Sequence, residues 1–192
     1  MLASLTAETE TGLILRAQQG DRNAFGELVR SHYPKVVRVV YRLCGDTNLA
    51  EDTTQEAFIR AWAKLSSFLP GSSFRNWIYR IAVNAALDVL RRRPEEALEE
   101  EDAVLVEDMA PGPEKTFIQK EQAALVQQAI NSLPDAARTV VVLREYGELS
   151  YREIAAVLDI PLGTVMSRLN YARSNLRELL EGQLSPTEAD NV

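Results

Sequence analysis

Residues 149–180 read LSYREIAAVLDIPLGTVMSRLNYARSNLRELL, and this stretch predicts two helices joined by a tight turn. Ser150 and Glu153 have the spacing of a capping box, in which each side chain bonds the other residue's backbone N–H at the start of a helix. Residues 159–161 (Asp-Ile-Pro) end that short helix. The longer helix repeats apolar residues at steps of three and four, which gives it one packing face. These residues are Leu162, Val165, Leu169, Ala172, Leu176 and Leu179.

The opposite face of the longer helix carries hydrogen-bonding side chains. They are Thr164, Ser167, Arg168, Tyr171, Ser174 and Asn175, with Arg173 and Arg177 on the flank. A short helix, a tight turn and a long helix with such a face are typical of a helix-turn-helix, whose second helix enters the major groove of duplex DNA. Serine, asparagine and arginine bind base edges or phosphates there. The alternative is a plain helical hairpin with a solvated outer face, because such patterns also arise by chance.

Upstream of this stretch the periodicity again predicts helices, so we expect an all-α fold of two small helical domains. The first helix is expected over about 10–19, and a second, capped by Asp21, continues past Pro34 and stops at Gly45. The third is expected to begin at a capping pair, Asn48 and Glu51. The fourth runs from Phe74 to Arg93 after a Pro-Gly loop. Further helices are expected near 114–131 and 135–146; the second includes the β-branched run 139–143, because a turn and a glycine bound it.

The charge of the chain is strongly segregated along the sequence. The net charge is −7, yet residues 1–93 carry 13 Lys/Arg and 9 Asp/Glu, a net charge of +4. Residues 94–118 carry a net charge of −8. The first module is therefore basic, and its charge does not argue against a nucleic-acid partner.

The acidic segment 94–112 is predicted to be a flexible linker, because its carboxylates repel one another. Fully extended, it would reach on the order of 60 Å. One interpretation is a spacer that lets two DNA-reading modules reach separated sites, with a negative charge suited to a cationic channel; the other is a plain solvated spacer. We expect domains at 1–93 and 113–181, with a disordered tail at 182–192.

Composition excludes several classes of protein. The sequence has no apolar run near the roughly 20 residues of a membrane span, and its first residues do not resemble a signal peptide. One cysteine and one histidine cannot build an internal disulfide or a zinc cluster. We therefore expect a cytoplasmic protein without a cofactor, a catalytic group or a metal site.

A second constellation lies in the first module, over residues 68–93. Phe74, Ile78 and Ala85 belong to an expected core face with Trp77 and Ile81, and polar groups occupy the rest of the helix. Basic groups interleaved with aromatic ones suit single-stranded DNA, since cations follow the backbone and rings hold unstacked bases. Alone this signal is weak, because Trp77 could be a core residue and the terminal arginines could complement the helix C-terminus.

Four segments resemble the extracytoplasmic-function (ECF) group of bacterial sigma-70 factors. Residues 50–62 (AEDTTQEAFIRAW) and 74–84 (FRNWIYRIAVN) are similar to the family's first domain. Residues 149–155 (LSYREIA) and 163–168 (GTVMSR) are similar to its second. The resemblance covers about residues 10–180 and implies a non-enzymatic subunit that binds core RNA polymerase, recognises the −10 and −35 promoter elements and helps to melt DNA.

The resemblance also implies roles for individual residues. The helix that docks on the clamp of the largest catalytic subunit would use Asp52, Gln55, Glu56, Phe58 and Arg60. Capture of a flipped −10 base would fall to Phe68, Ser72, Ser73 and Asn84, beside Asn76, Trp77 and Tyr79, with phosphates held by Arg80, Arg91, Arg92 and Arg93. The helix-turn-helix would read the −35 duplex through Thr164, Ser167, Arg168, Tyr171, Arg173, Ser174 and Asn175. Implied partners are promoter DNA, the polymerase clamp, the flap of the partner catalytic subunit and an anti-sigma factor, often membrane-anchored.

Two departures and two competing interpretations stay open. Met166 and Tyr171 stand where relatives are often basic, so the −35 preference cannot be inherited. A free-standing helix-turn-helix regulator would explain the second module but not the first. An enzyme with a metal at the acidic residues 95–108 is disfavoured, because these carboxylates lack a structured partner or a phosphate-binding glycine loop.

Overall fold

The computed structural model describes residues 2–69, 71–92 and 113–184, and side chains within 10–69, 71–92 and 122–181. The described residues form eight α-helices, one 3₁₀ turn and no strand, which confirms the all-α fold. The helices are α1 (Leu2–Gln18), α2 (Arg22–Cys44), α3 (Thr47–Lys64), α4 (Phe74–Arg92), α5 (Pro113–Asn131), α6 (Asp135–Glu145), α7 (Tyr151–Leu158) and α8 (Leu162–Leu184). The expected linker 94–112 and residues 185–192 of the expected tail 182–192 lie outside the described residues, whereas residues 182–184 belong to α8.

Local capping residues set most helix ends. Asp21 caps α2 by accepting from the N–H groups of Asn23 and Ala24, and Gly45 ends α2 with a φ of 73°. The prediction for the third helix was wrong in its cap: Asp46 accepts from Leu49 N–H at 2.8 Å, so Asn48 lies inside α3. Asp46 caps the helix because it precedes Asn48 and has the same capping chemistry. The helix therefore begins earlier than predicted. The first helix also begins earlier than expected, at Leu2.

The first module packs α1, α3 and α4 around α2. The core side chains of α2 are aliphatic, and the largest side chains of the other helices close over them. Val36, Val39, Val40 and Leu43 from α2 lie buried with Phe74, Ile78 and Tyr79 from α4. Gln18 at the end of α1 donates to the carbonyls of Leu65 and Phe68, at 3.0 and 2.8 Å. This side chain holds the 3₁₀ turn Leu65–Ser67 and the start of the following loop against the core.

The second module packs α6 and α7 against α8. The run 139–143 lies wholly buried within α6, which confirms that it is helical and not a strand. Ser150 and Glu153 form the predicted capping box at the start of α7. The apolar face of α8 is narrower than expected: Val165, Leu169 and Ala172 are buried, but the side chains at its two ends, Leu162 and Leu179, are exposed.

The two modules lie against each other. The second half of α2 contacts α5 and α6, and the first half of α4 contacts α7. Arg138 from α6 donates to the carbonyl of Leu43 at the end of α2, at 3.1 Å. It also donates to the carbonyls of Asn131 and Leu133 within its own module, at 2.6 and 3.0 Å. One half-buried guanidinium group thus joins the two modules.

Candidate nucleic-acid interface

The first part of the candidate interface is the loop 68–73 and the helix α4 that follows it. Phe68, Phe74 and Trp77 form a triangle of rings with centroid separations of 5.8, 5.1 and 5.6 Å. Ser73 begins the helix, since its hydroxyl accepts from Asn76 N–H at 3.3 Å. Rigid rings below the loop and a cap at its end fix where the exposed loop side chains lie.

Two residues expected to contact DNA are buried instead. Phe68 is 3% exposed and Tyr79 is 1% exposed, because both rings fill the core around α4. The Tyr79 hydroxyl has no hydrogen-bond partner among the described residues, and burial raises the pKa of this phenol above its ordinary value. In this conformation neither side chain is accessible to DNA, and both instead pack beneath the loop and α4.

Six of the other predicted −10 residues are exposed, and the rest have differing surroundings. Ser72, Ser73, Asn84, Arg80 and Arg92 are exposed, and Trp77 is the half-buried member of the aromatic triangle. Arg91 is exposed and lies 3.7 Å from Asp88 on its own helix. Arg93 lies outside the described residues. The accessible groups offer hydroxyls, an amide, a ring and cations along one module, which is a set that single-stranded DNA can use.

Asn76 is turned toward the second module. Its Nδ2 donates to Oε1 of Glu153 at 3.2 Å, and its buried Oδ1 has no partner among the described residues. The neighbouring Arg75 donates to the same Glu153 oxygen at 2.8 Å. Burial opposes ionisation of Glu153, but hydrogen bonds from Ser150, Asn76 and Arg75 outweigh it and lower the pKa of this carboxyl to about 2. No local pattern in the sequence indicated this contact between modules.

The predicted polymerase-docking face lies on α3. Asp52, Gln55, Glu56 and Arg60 are exposed, and Arg60 Nε lies 2.8 Å from Glu56 Oε1. Phe58 is corrected: it is 5% exposed and packs near Tyr33 with ring centroids 6.1 Å apart. Ile59, which the sequence reasoning missed, is 63% exposed beside these polar groups. Ile59 is therefore accessible to a docking partner, whereas Phe58 is not.

The second part of the interface is the outer face of α8. Ser167, Tyr171, Arg173 and Ser174 are exposed, and Thr164, Arg168 and Asn175 are half-buried. Arg173 donates to Glu145 Oε1 at 3.0 Å and to the Tyr151 hydroxyl at 3.3 Å, and these bonds raise its pKa. Arg173 is thus partly occupied within its own module. Met166, 48% exposed, joins Tyr171 as an apolar group on this face.

A metal site and a membrane-spanning helix are both absent from the described residues. Within them, no cluster of three histidine, cysteine or carboxylate side chains could hold a metal ion. No helix in the described ranges is both long and apolar enough to cross a membrane. The acidic residues 95–108, considered above as a metal site, fall outside those ranges.

Both modules of the chain match models of known protein families. Residues 28–95 match the Sigma-70 region 2 family and residues 123–176 match Sigma-70, region 4. The chain is 39% identical to the RNA polymerase sigma-H factor of Pseudomonas aeruginosa over 92% of this chain and 96% of that protein. It is 38% identical to the ECF RNA polymerase sigma factor SigW of Bacillus subtilis, over 87% of this chain and 94% of that one.

Solved structures give the same result for the fold. The structure of CnrH in complex with the cytosolic domain of CnrY matches with a TM-score of 0.70 and 26% identity, over 91% of this chain and 98% of that one. The sigma factor RpoE from Bartonella quintana, in complex with the anti-sigma factor NepR, matches with a TM-score of 0.68 and 25% identity, over 82% and 96%. These likenesses favour a sigma factor over a free-standing regulator. The chain belongs to the sigma-70 family of RNA polymerase sigma factors, within its ECF group.

Proposed function

We propose that this sigma factor divides promoter recognition between its two modules, with residues 1–93 serving the −10 element and residues 113–181 the −35 element. Residues 94–112 would be the connection between them, and residues 182–192 a C-terminal tail. The observation that carries the proposal is that each module presents its own accessible set of hydrogen-bonding side chains. One lies on a loop and helix in a basic module, and the other lies on the outer face of a helix-turn-helix.

For the −10 element, Asn84 and the hydroxyls of Ser72 and Ser73 would hold an unstacked base. The buried rings beneath the loop support this by keeping it in one position, which lowers the ordering cost of binding. Arg80, Arg91, Arg92 and Arg93 would neutralise strand phosphates. Holding a flipped base traps melted DNA without any chemical step, so the chain would act by binding and not as an enzyme.

For the −35 element, α8 would enter the major groove. Ser167 and Ser174 offer hydrogen bonds to base edges, and Met166 and Tyr171 offer apolar contact, which suits the methyl group of thymine. With Arg173 already bonded to Glu145, fewer cations remain for phosphates. Duplex binding by this module would therefore depend less steeply on salt than binding by a more basic recognition helix.

Core RNA polymerase would bind the exposed side of α3, through Asp52, Gln55, Glu56, Arg60 and the newly found Ile59. Its clamp would be the docking partner, and the flap of the other large subunit would take the second module. The chain would work in the cytoplasm and be held inactive by an anti-sigma factor. One solved relative supports that partner, since RpoE from Bartonella quintana is bound to the anti-sigma factor NepR.

A run-off transcription assay on a promoter library tests this proposal. The purified chain is added to core RNA polymerase, and initiated transcripts are sequenced. We expect initiation at a defined set of promoters only when both are present. If core enzyme with the chain never initiates specifically, while the chain alone footprints duplex DNA, the protein is a free-standing regulator and the proposal fails.

A further inference from the structure

The outer face of α8 has a line of exposed residues along its centre. The helix packs on the core through buried side chains that include Val165 and Leu169. Positions on the opposite side recur at steps of four, three and four, which keeps them on one line along an α-helix. We call these four exposed residues the central stripe; they are Gly163, Ser167, Asn170 and Ser174.

Asn170 is the largest side chain of the central stripe. Its companions are a glycine and two serines, and a Cβ added at Gly163 would have nothing within 4 Å. The carboxamide of Asn170 therefore extends further from the helix than its neighbours. An α-helix rises about 1.5 Å per residue, so Ser167 and Ser174 lie on the order of 10 Å apart along the axis, with Asn170 between them. That span fits within a major groove about 12 Å wide.

Two of the polar groups predicted to read the −35 duplex donate hydrogen bonds within α8 itself. Ser167 Oγ donates to the carbonyl of Thr164 at 3.1 Å, and the Asn175 amide donates to the carbonyl of Tyr171 at 3.0 Å. By contrast, the Asn170 side chain makes no hydrogen bond with another residue in the described ranges. Its amide N–H groups and its carbonyl oxygen are therefore both available to a ligand.

An asparagine carboxamide is complementary to one base in the major groove. Adenine presents N7 as an acceptor and its N6 amino group as a donor, and asparagine pairs with both at once. Thymine, the partner of adenine, carries a methyl group in the same groove. Met166 and Tyr171 flank Asn170 on its two sides, are 48% and 50% exposed, and offer apolar surface to such methyl groups. The face as a whole therefore suits A·T pairs.

We propose that Asn170 is a base-reading residue of α8, and that it selects adenine at one position of the −35 element through paired hydrogen bonds to N7 and N6. This inference rests on the proposed −35 role of the second module and names a base which that role selects. The sequence reasoning missed Asn170 because it placed Thr164 and Arg168 on the outer face. Both are half-buried, and the exposed face is turned toward Asn170 instead.

A promoter library with a randomised −35 element measures the base preference directly. Core RNA polymerase and the full chain initiate on the library, and the transcripts are counted by sequencing. We expect Asn170→Ala to lower the preference for adenine about tenfold at one position and to leave the preferences at the other positions unchanged. The matched control is Gln128→Ala, which removes an exposed carboxamide from α5 of the same module and should change no preference.

Two exchanges at residue 170 test the hydrogen bonds themselves. Asn170→Gln retains the carboxamide, so adenine should stay the preferred base. Asn170→Arg offers two N–H donors that match O6 and N7 of guanine, so the preference at the same position should move from adenine to guanine. A side chain that only stabilises α8 would not redirect the choice of base.

Two results would overturn the inference. If Asn170→Ala lowers initiation equally on every −35 sequence, the residue binds a phosphate or supports the helix and reads no base. If Asn170→Ala and Asn170→Arg leave every preference unchanged, the amide is only solvated.

The outcomes also separate this inference from the proposed function. If the natural chain initiates at defined promoters but Asn170→Ala keeps every preference, only the reading role is wrong. If the chain never initiates with core polymerase, the sigma role fails, and duplexes selected from a random pool by the full chain alone then decide the inference. An adenine enriched by the natural chain but not by Asn170→Ala would support base reading, and equal enrichment by both would overturn it.

Discussion

Gly45 at the end of α2 lies against Asn131 of the second module so closely that a Cβ on residue 45 would be 2.6 Å from Asn131 Nδ2. The glycine has a φ of 73°, which side chains rarely adopt, and Asn131 is held in place because its Oδ1 accepts from Gln127 at 2.8 Å. One residue therefore ends a helix and also permits the two modules to approach.

Gly45→Ala should destabilise the protein for both reasons. The left-handed conformation alone costs about 1–2 kcal/mol for a residue with a Cβ. The matched control is Gly20→Ala, where φ is 95° but nothing lies within 4 Å of the added carbon. We expect the free energy of unfolding, measured by urea titration, to fall more for Gly45→Ala than for Gly20→Ala. Adding Asn131→Ala to Gly45→Ala should recover the difference; an equal loss at both glycines would show that the contact is unimportant.

Phe58 and Ile59 should separate stability from polymerase binding. Phe58→Ala removes a buried ring and should lower the free energy of unfolding by about 3–5 kcal/mol. Ile59→Ala should leave the melting temperature nearly unchanged, because its side chain is 63% exposed, but should weaken binding to core RNA polymerase in a pull-down. Unchanged polymerase binding by Ile59→Ala would remove that residue from the docking face.

Asn84→Ala should impair promoter opening more than duplex binding. The exposed amide of Asn84 is proposed to hold a base that is available only in melted DNA, so its loss weakens the open complex selectively. Permanganate reactivity reports melting and a gel shift reports duplex binding, both with the holoenzyme. Asn23→Ala makes the same chemical change on an exposed part of α2 far along the chain and serves as the control. Equal losses in both assays would refute the role in base capture.

The ionised Glu153 of the capping box makes the stability of the protein depend on pH. Glu153 has its pKa lowered from 4.5 to about 2, so its contribution to folding is complete above pH 4.5 and is lost as the pH falls toward about 2. The difference in melting temperature between the natural chain and Glu153→Gln should therefore shrink over that interval. A difference that stays constant with pH would mean that the hydrogen bonds from Ser150, Asn76 and Arg75 do not lower this pKa.

Local signals predicted the helices well. Asp21, Gly45 and the Ser150–Glu153 pair act within four residues of the helix ends they set, so the sequence was sufficient there. Asn48 was predicted as the cap of α3, but Asp46, two residues earlier, has equivalent capping chemistry and caps the helix. Residue spacing alone could not distinguish the two positions.

The burial of individual side chains and the contacts between distant residues could not be predicted from the sequence. Phe58, Phe68 and Tyr79 stand within recognisable motifs, but a motif does not tell which member faces inward. The bond between Arg75 and Glu153 joins residues 78 positions apart, and no local pattern marks such a pair. The sequence did contain a sign that Ile59 is exposed. It follows the buried residues Ala57 and Phe58 on α3 and precedes the charged Arg60.

Arg138 couples the folding of the two halves of the chain. Its guanidinium group satisfies the last carbonyl groups of two helices, Leu43 in one half and Asn131 in the other, so losing either helix leaves charged donors without acceptors. Unfolding of either helix therefore breaks hydrogen bonds of the same half-buried cation. In the conformation described here, a heated chain should thus unfold in a single cooperative transition, whereas separating the halves would let each melt at its own temperature.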